Sequence, residues 1–170
     1  MTWSRNRISQ LKDLPEGWKV GYVSRVSAWY DGLMSRWLDD VVIAKSMKVS
    51  KDKKTKKVTK TKLDVEPIVV KFKAAGVLVF GEETVKSGKY LAFIDGKPAT
   101  WSRWGKKFKE WNLNAKKFGG GRQHVGALAT GLDPTKVHTL EIRPVFDSDE
   151  PQELRLESIC LAGGDAEIVE

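Results

Sequence analysis

Two short apolar runs, Val77 to Phe80 and Tyr90 to Ile94, flank a polar segment that holds Gly81, Glu82, Glu83, Ser87 and Gly88. They limit what the chain can fold into. Both are too short for free-standing helices and are rich in β-branched and aromatic residues, so they read as two strands joined by a short turn. Apolar residues at successive rather than alternate positions predict central strands with both faces covered. Asp95-Gly96 then supplies a dipeptide that tolerates the positive φ of a hairpin turn, and Pro98, which cannot donate to a ladder, ends the pairing.

The last third of the chain repeats this texture. Gln123 to Thr130 reads as a strand that runs into the turn Gly131-Leu132-Asp133-Pro134. From His138 to Pro144, Leu140 and Ile142 alternate with Thr139, Glu141 and Arg143, which predicts one apolar and one wet face. Leu154 and Leu156 alternate in the same way. Ile159 to Ala162 closes the sheet, and Gly163-Gly164 releases an acidic tail at 165–170. Many short strands separated by turn signals predict an all-β fold, an antiparallel β-sandwich with one or two short helices.

Upstream, residues 1 to 17 are polar and end in the turn Leu14-Pro15-Glu16-Gly17, before a strand at Trp18 to Val26. Trp29, Leu33 and Trp37, with Met34 and Leu38 beside them, share one helical face. They predict a short Trp-rich helix in a segment 1–40 that packs on a sandwich spanning 41–164. Val41 to Ala44 starts that sandwich, and Met47 and Val49 continue it into a hairpin over Lys45 to Lys62.

That hairpin holds the charge. Nine of the 30 Lys and Arg and one of the 22 Asp and Glu, Asp52, fall between Lys45 and Lys62, so the remaining 21 basic and 21 acidic residues cancel and the net +8 belongs to this segment. Lys53, Lys54, Lys56 and Lys57 at its tip are candidate contacts for a polyanion. The polyanion is an acidic polysaccharide or a nucleic acid; the segment contains no arginine, whereas a nucleic-acid surface spreads arginine and lysine over a face, which argues against nucleic acid. Lysines on an exposed hairpin also block edge-to-edge aggregation, which is a structural reason for their presence.

After the central strands, Trp101, Trp104, Phe108 and Trp111 are interleaved with Arg103, Lys106, Lys107 and Lys109. Their spacing fits one face of a helix capped by Ser102 and stopped at Gly119-Gly120-Gly121, with an aromatic loop as the rival reading and packing over an open sheet face as the structural explanation. Flat indole rings on which a sugar can stack make Trp101, Trp104 and Trp111 the candidate ligand contacts, with Arg122, His124 and Asp95 as polar candidates. An exposed patch of this kind would favour self-association; a buried one would not.

The chemistry of catalysis is missing from the motifs. The chain has no Gly-Asp-Ser block, no G-x-S-x-G elbow and no D-x-x-H pair. Ser102, His124 and Asp95 are residue types of a hydrolytic triad without its local context. One cysteine, Cys160, and two histidines, His124 and His138, do not make a metal site, and no cofactor is called for. Calcium held by backbone carbonyls would leave no trace in the sequence. His138, directly after a turn, is expected to fix that turn by hydrogen bonding. No signal-peptide pattern opens the sequence and no run approaches the ~20 apolar residues of a membrane span. For an excised domain, a signal upstream and a location outside the cytoplasm stay open.

The order of VKFKAAGVLVFGEETVKSGKYLAFIDGKP, ALATGLDPTKVHTLEIRP and ELRLESICLAGG resembles the jelly-roll, galactose-binding-like module attached to bacterial SGNH/GDSL-type hydrolases and carbohydrate esterases. Phe72, Gly76, Gly88, Asp95, Gly96, Gly131, Leu132, His138, Thr139, Leu140 and Ile142 fall on the strand and turn positions of that pattern, over roughly residues 66 to 163. Residues 1 to 65 match no pattern. The resemblance implies a non-catalytic accessory sandwich that binds carbohydrate or packs against a neighbouring hydrolase domain. Polyanion binding through the Lys45–Lys62 hairpin and an unrecognised hydrolase are the alternatives.

Overall fold

Alternation of buried and exposed residues decides the architecture. In β6 (Ile68–Lys73), Ile68, Val70 and Phe72 are buried and Val69 and Lys71 are exposed, the period of a strand with one face inward. The computed structural model of the chain describes residues 1–22, 40–119 and 121–170. Trp29, Leu33, Met34, Trp37 and Leu38, read as a helical stripe, lie outside the described residues, as does the end of the strand expected at Trp18 to Val26.

Two antiparallel sheets face each other. The first contains β1 (Trp3–Arg7), β2 (Trp18–Tyr22), β3 (Asp40–Lys45), β7 (Gly76–Glu83), β13 (Arg122–Ala129) and β15 (Glu153–Ala162). Its order is β13-β7-β15-β3-β2, and β1 pairs with the second half of β15, beyond the end of β3. The second contains β6, β8 (Lys89–Ile94), β9 (Lys97–Pro98), β12 (Glu110–Asn112), β14 (His138–Val145) and β16 (Glu167–Val169). Its order is β12-β8-β14-β6-β16, with β9 also on β8. Between the sheets, Phe72, Tyr90, Leu140, Ile142, Leu154, Leu156, Ile159 and Leu161 form one buried core, to which Ile8 and Trp18 add from the N-terminal segment.

Two hairpins stand apart from the sheets. Among the described residues β4 (Met47–Lys51) pairs only with β5 (Val58–Lys62), and β10 (Trp101–Arg103) only with β11 (Lys106–Phe108). The first is the exposed lysine hairpin expected from the sequence. The second replaces the helix expected over Trp101 to Trp111. Gly105 sits mid-segment, where a helix would be weakened by about 1 kcal/mol, and the chain turns back there instead. Among the described residues there is no α-helix, only the 3₁₀ turns Ile8–Gln10 and Lys116–Phe118, and hence no helix long and apolar enough to cross a membrane.

The two apolar runs become β7 and β8, each flanked by neighbours on both sides, but they do not pair with one another. β7 belongs to the first sheet and β8 to the second, so their connection crosses the sandwich. Nor are both faces covered, because Leu78 is 36% exposed on the outer side of β7. The polar N-terminus supplies β1, and the acidic end supplies β16, which pairs Ile168 with Phe72.

One strand provides the check. Phe72→Ala, at a fully buried position, is expected to cost about 3–5 kcal/mol, whereas Val69→Ala three residues earlier on the outer face is expected to stay within about 0.5 kcal/mol. Equilibrium urea unfolding of the two variants measures the difference. Equal losses would contradict the inward assignment of Phe72.

Candidate functional site

Both Asp95-Gly96 and Trp104-Gly105 are two-residue hairpin turns with positive φ at each central position, 50° and 79° in the first and 50° and 73° in the second. Such turns favour Asn or Asp before Gly, because a short polar side chain tolerates the left-handed conformation. Asp95 fits the rule. Its carboxylate accepts from the Thr139 amide at 2.8 Å and from His138 Nδ1 at 2.7 Å, tying the turn to the start of β14.

Trp104 breaks the rule. A bulky residue in the left-handed region costs on the order of 1 kcal/mol, and its ring is 86% exposed. Among the described residues its one ring contact is the Arg103 guanidinium, 4.2 Å from the ring centroid. Among the described residues the ring is not packed into the core.

Behind the tip the aromatics run inward. Trp101 stacks on Phe108 across the hairpin with centroids 4.5 Å apart, and its Nε1 donates to the Glu110 carbonyl at 2.9 Å. Trp111 follows at 6.1 Å, and lies 6.0 Å from Tyr90 with the two rings nearly parallel. Tyr90 meets His124 through a 2.8 Å hydrogen bond between its hydroxyl and Nε2. Trp111 is only 7% exposed and its Nε1 has no partner, so this ring is core rather than a stacking face. The six sequence candidates therefore separate. Trp101 and Trp104 share a hairpin whose rim carries the exposed Arg103, Lys106 and Lys107, while Trp111 and His124 lie inside behind it.

His124 is held by its surroundings rather than presented to solvent. It is 6% exposed, with Glu83 Oε1 3.6 Å from Nδ1. Burial pushes the Tyr90 phenol well above its usual range. Arg122 remains at the surface, its guanidinium 3.9 Å above the Phe118 ring and 3.9 Å from Glu83. The conceivable set of Ser102, His124 and Asp95 is not assembled, because Asp95 binds His138 and His124 binds Tyr90. Burial likewise pushes the Cys160 thiol up, away from the reactive thiolate. Among the described residues no cluster of three His, Cys, Asp or Glu could hold a metal ion.

His138 sits where a proton on each ring nitrogen is welcome. Its Nδ1 faces the Asp95 carboxylate and its Nε2 faces the Asp133 carbonyl at 2.8 Å, two acceptors, so the surroundings favour the imidazolium form, in which both nitrogens donate. The hydrogen bond to Asp95 leads in raising the histidine above its ordinary value, and the same bond leads in lowering Asp95.

The lysine tip is organised by its lone acid. Asp52 accepts from the amides of Lys54 and Thr55 at 2.7 and 3.1 Å, and the Thr55 and Lys54 amides hold its carboxyl below the usual range. Asp52 thus shapes the turn. Lys53, Lys54, Lys56 and Lys57 are all exposed around it, with Lys56 itself at φ 59°.

A scan against protein-family models finds no match, and neither does a search of the curated proteins. A search of solved structures finds a two-domain esterase (CEX) active on acetylated mannans, co-crystallized with mannopentaose. The match has a TM-score of 0.59 at 12% sequence identity, and covers 97% of this chain and 37% of that chain. The likeness is one of fold. This chain spans little more than a third of that esterase's length.

Two outcomes follow from this geometry. A Cβ on Gly126 would collide with the Tyr90 hydroxyl and lie 3.1 Å from His124 Nε2, so Gly126→Ala is expected to destabilise by about 1–3 kcal/mol in urea unfolding. For His138, a raised folded pKa means stability that is fully present below the unfolded value near 6.5 and lost as pH rises through the folded value. Asp95, lowered, contributes above about 3.8 and loses its contribution as pH falls through its depressed value. Wild type should therefore exceed His138→Gln in stability most clearly between those limits. The gap should narrow on the alkaline side, read from unfolding free energies across pH. A gap unchanged at alkaline pH would refute the imidazolium assignment.

Proposed function

We propose that this chain is a non-catalytic carbohydrate-binding module of the jelly-roll, galactose-binding-like kind, an accessory to an SGNH/GDSL-type hydrolase. Trp104 carries the reading. A tryptophan in a left-handed turn, exposed and beside an arginine, opposes folding and offers a flat face for a sugar ring, with Trp101 and Phe108 bracing the hairpin beneath it.

The strand order supports the fold half of the proposal. β3, β15, β7 and β13 face β6, β14, β8 and β12, and the chain crosses between the sheets at every step except β8 to β12, which pair within one sheet, as in an eight-stranded jelly roll. The likeness to part of a two-domain esterase supports the accessory half, with a hydrolase domain as the neighbour and an acetylated polysaccharide as the ligand class. The engaged histidines support a role without turnover.

Trp104→Asn separates stability from binding. It converts the turn to Asn-Gly and is expected to stabilise the fold by about 1 kcal/mol while weakening retention on acetylated mannan in affinity electrophoresis by about tenfold. No turnover of acyl esters is expected from either protein. Esterase activity abolished by replacing one serine would refute the non-catalytic role, and unchanged mannan retention in the variant would refute the site.

A further inference from the structure

Where the lysine hairpin leaves the first sheet, a groove of about 510 Å³ opens between its root and the sandwich. Four lysines from four separate elements line it: Lys19 of β2, Lys45 of β3, Lys48 of β4, and Lys86 of the connection between β7 and β8. All four are exposed, and among the described residues none is in an ion pair. Among the described residues the one acid on the lining, Glu153, is already committed to Arg155 and Thr84, both at 3.1 Å. Like charges gathered around a concave surface without a neutralising partner repel one another and focus a positive potential into the groove. Met47 and Leu63 provide an aliphatic floor between them.

We propose that this groove binds an anionic polysaccharide segment, a polyuronate, with carboxylates against the four lysines and sugar C–H faces against the aliphatic floor. The size falls in the range of small-ligand sites. The tip lysines extend the same field outward, since five-residue strands put them roughly 15 Å from the root. Nucleic acid fits less well. Among the described residues the lining has no aromatic residue on which a base could stack and no arginine to clasp a phosphate in a fork. The proposal deepens the carbohydrate-binding reading and rests on it for the ligand class, but it uses residues remote in sequence from Trp104.

The test is isothermal titration of the chain with a hexameric oligogalacturonate, a single-stranded DNA of equal charge, and acetylated mannan. The proteins are wild type, Lys19→Ser/Lys45→Ser/Lys48→Ser/Lys86→Ser, Lys53→Ser/Lys54→Ser/Lys56→Ser/Lys57→Ser, and Trp104→Asn. We expect oligogalacturonate binding that weakens steeply with salt, falls at least tenfold in the groove variant, falls less in the tip variant and is untouched in Trp104→Asn. Thermal melts confirm that the surface variants fold. No oligogalacturonate binding, loss confined to the tip variant, or DNA binding as tight and lost in the same groove variant would overturn the proposal. Failure on acetylated mannan with oligogalacturonate binding intact would refute the Trp104 site and leave the groove standing.

Discussion

The sandwich depends on two strands that arrive late in the chain and complete both sheets. β14 lies between β6 and β8, and β15 lies between β7 and the β3 and β1 pair. Until they insert, β6 has no link to β8 in its sheet and β7 none to β3. Leu140 and Ile142 on one and Leu154, Leu156, Ile159 and Leu161 on the other then face each other across the core. A fold closed in this way is dominated by pairings distant in sequence, whose loop-closure cost is met only when the apolar faces are joined. The Asp95–His138–Asp133 linkage belongs to this closure, because it pins the first residue of β14 to the turn that ends β8.

The sequence revealed strands wherever one strand buried an apolar face by itself. His138 to Pro144 and Glu153 to Glu157 alternate because their inner faces meet the core, and the hairpins at Asp95-Gly96 and Lys51 to Lys57 carry their own turn chemistry. Pairing was hidden where the partner is distant. β7 and β8 are neighbours in sequence and look like a hairpin, yet each is bonded to strands from elsewhere. β1 was invisible for another reason: it is mostly polar and secured by hydrogen bonds, with Ser4 donating to the Ala166 carbonyl and Asn6 to the Ile159 carbonyl. No hydrophobic pattern could announce it.

The aromatic segment shows the ambiguity in its sharpest form. Trp101, Trp104, Phe108 and Trp111 at steps of three and four satisfy a helix, and Trp101 opposite Phe108 across a two-residue turn satisfies a hairpin equally well. Gly105 was the available signal. The candidate residues then divide by depth: Trp111 and His124 are spent on packing around Tyr90, while Trp104 is left outside in a conformation tryptophan does not favour. Residues at which local preference and fold disagree are where function is expected to be found.

The same principle applies to charge. With the rest of the chain neutral, the excess of +8 sits between Lys45 and Lys62; Lys45 ends β3, and the other eight lysines lie on a hairpin that joins neither sheet and buries almost nothing. A two-stranded hairpin in water is marginal on its own, and its lysines repel one another, so it contributes little to holding the sandwich together. What stabilises it is local: the Asp52 turn, the cross-strand ladder, and a root anchored where the Leu63 amide donates to the Ser46 carbonyl at 2.9 Å. Because the root is fixed and the charge is concentrated, the potential has a definite origin on the surface. Salt would weaken whatever binds there, while a sugar stacked on Trp104 would feel little of it. The two surfaces are thus chemically independent.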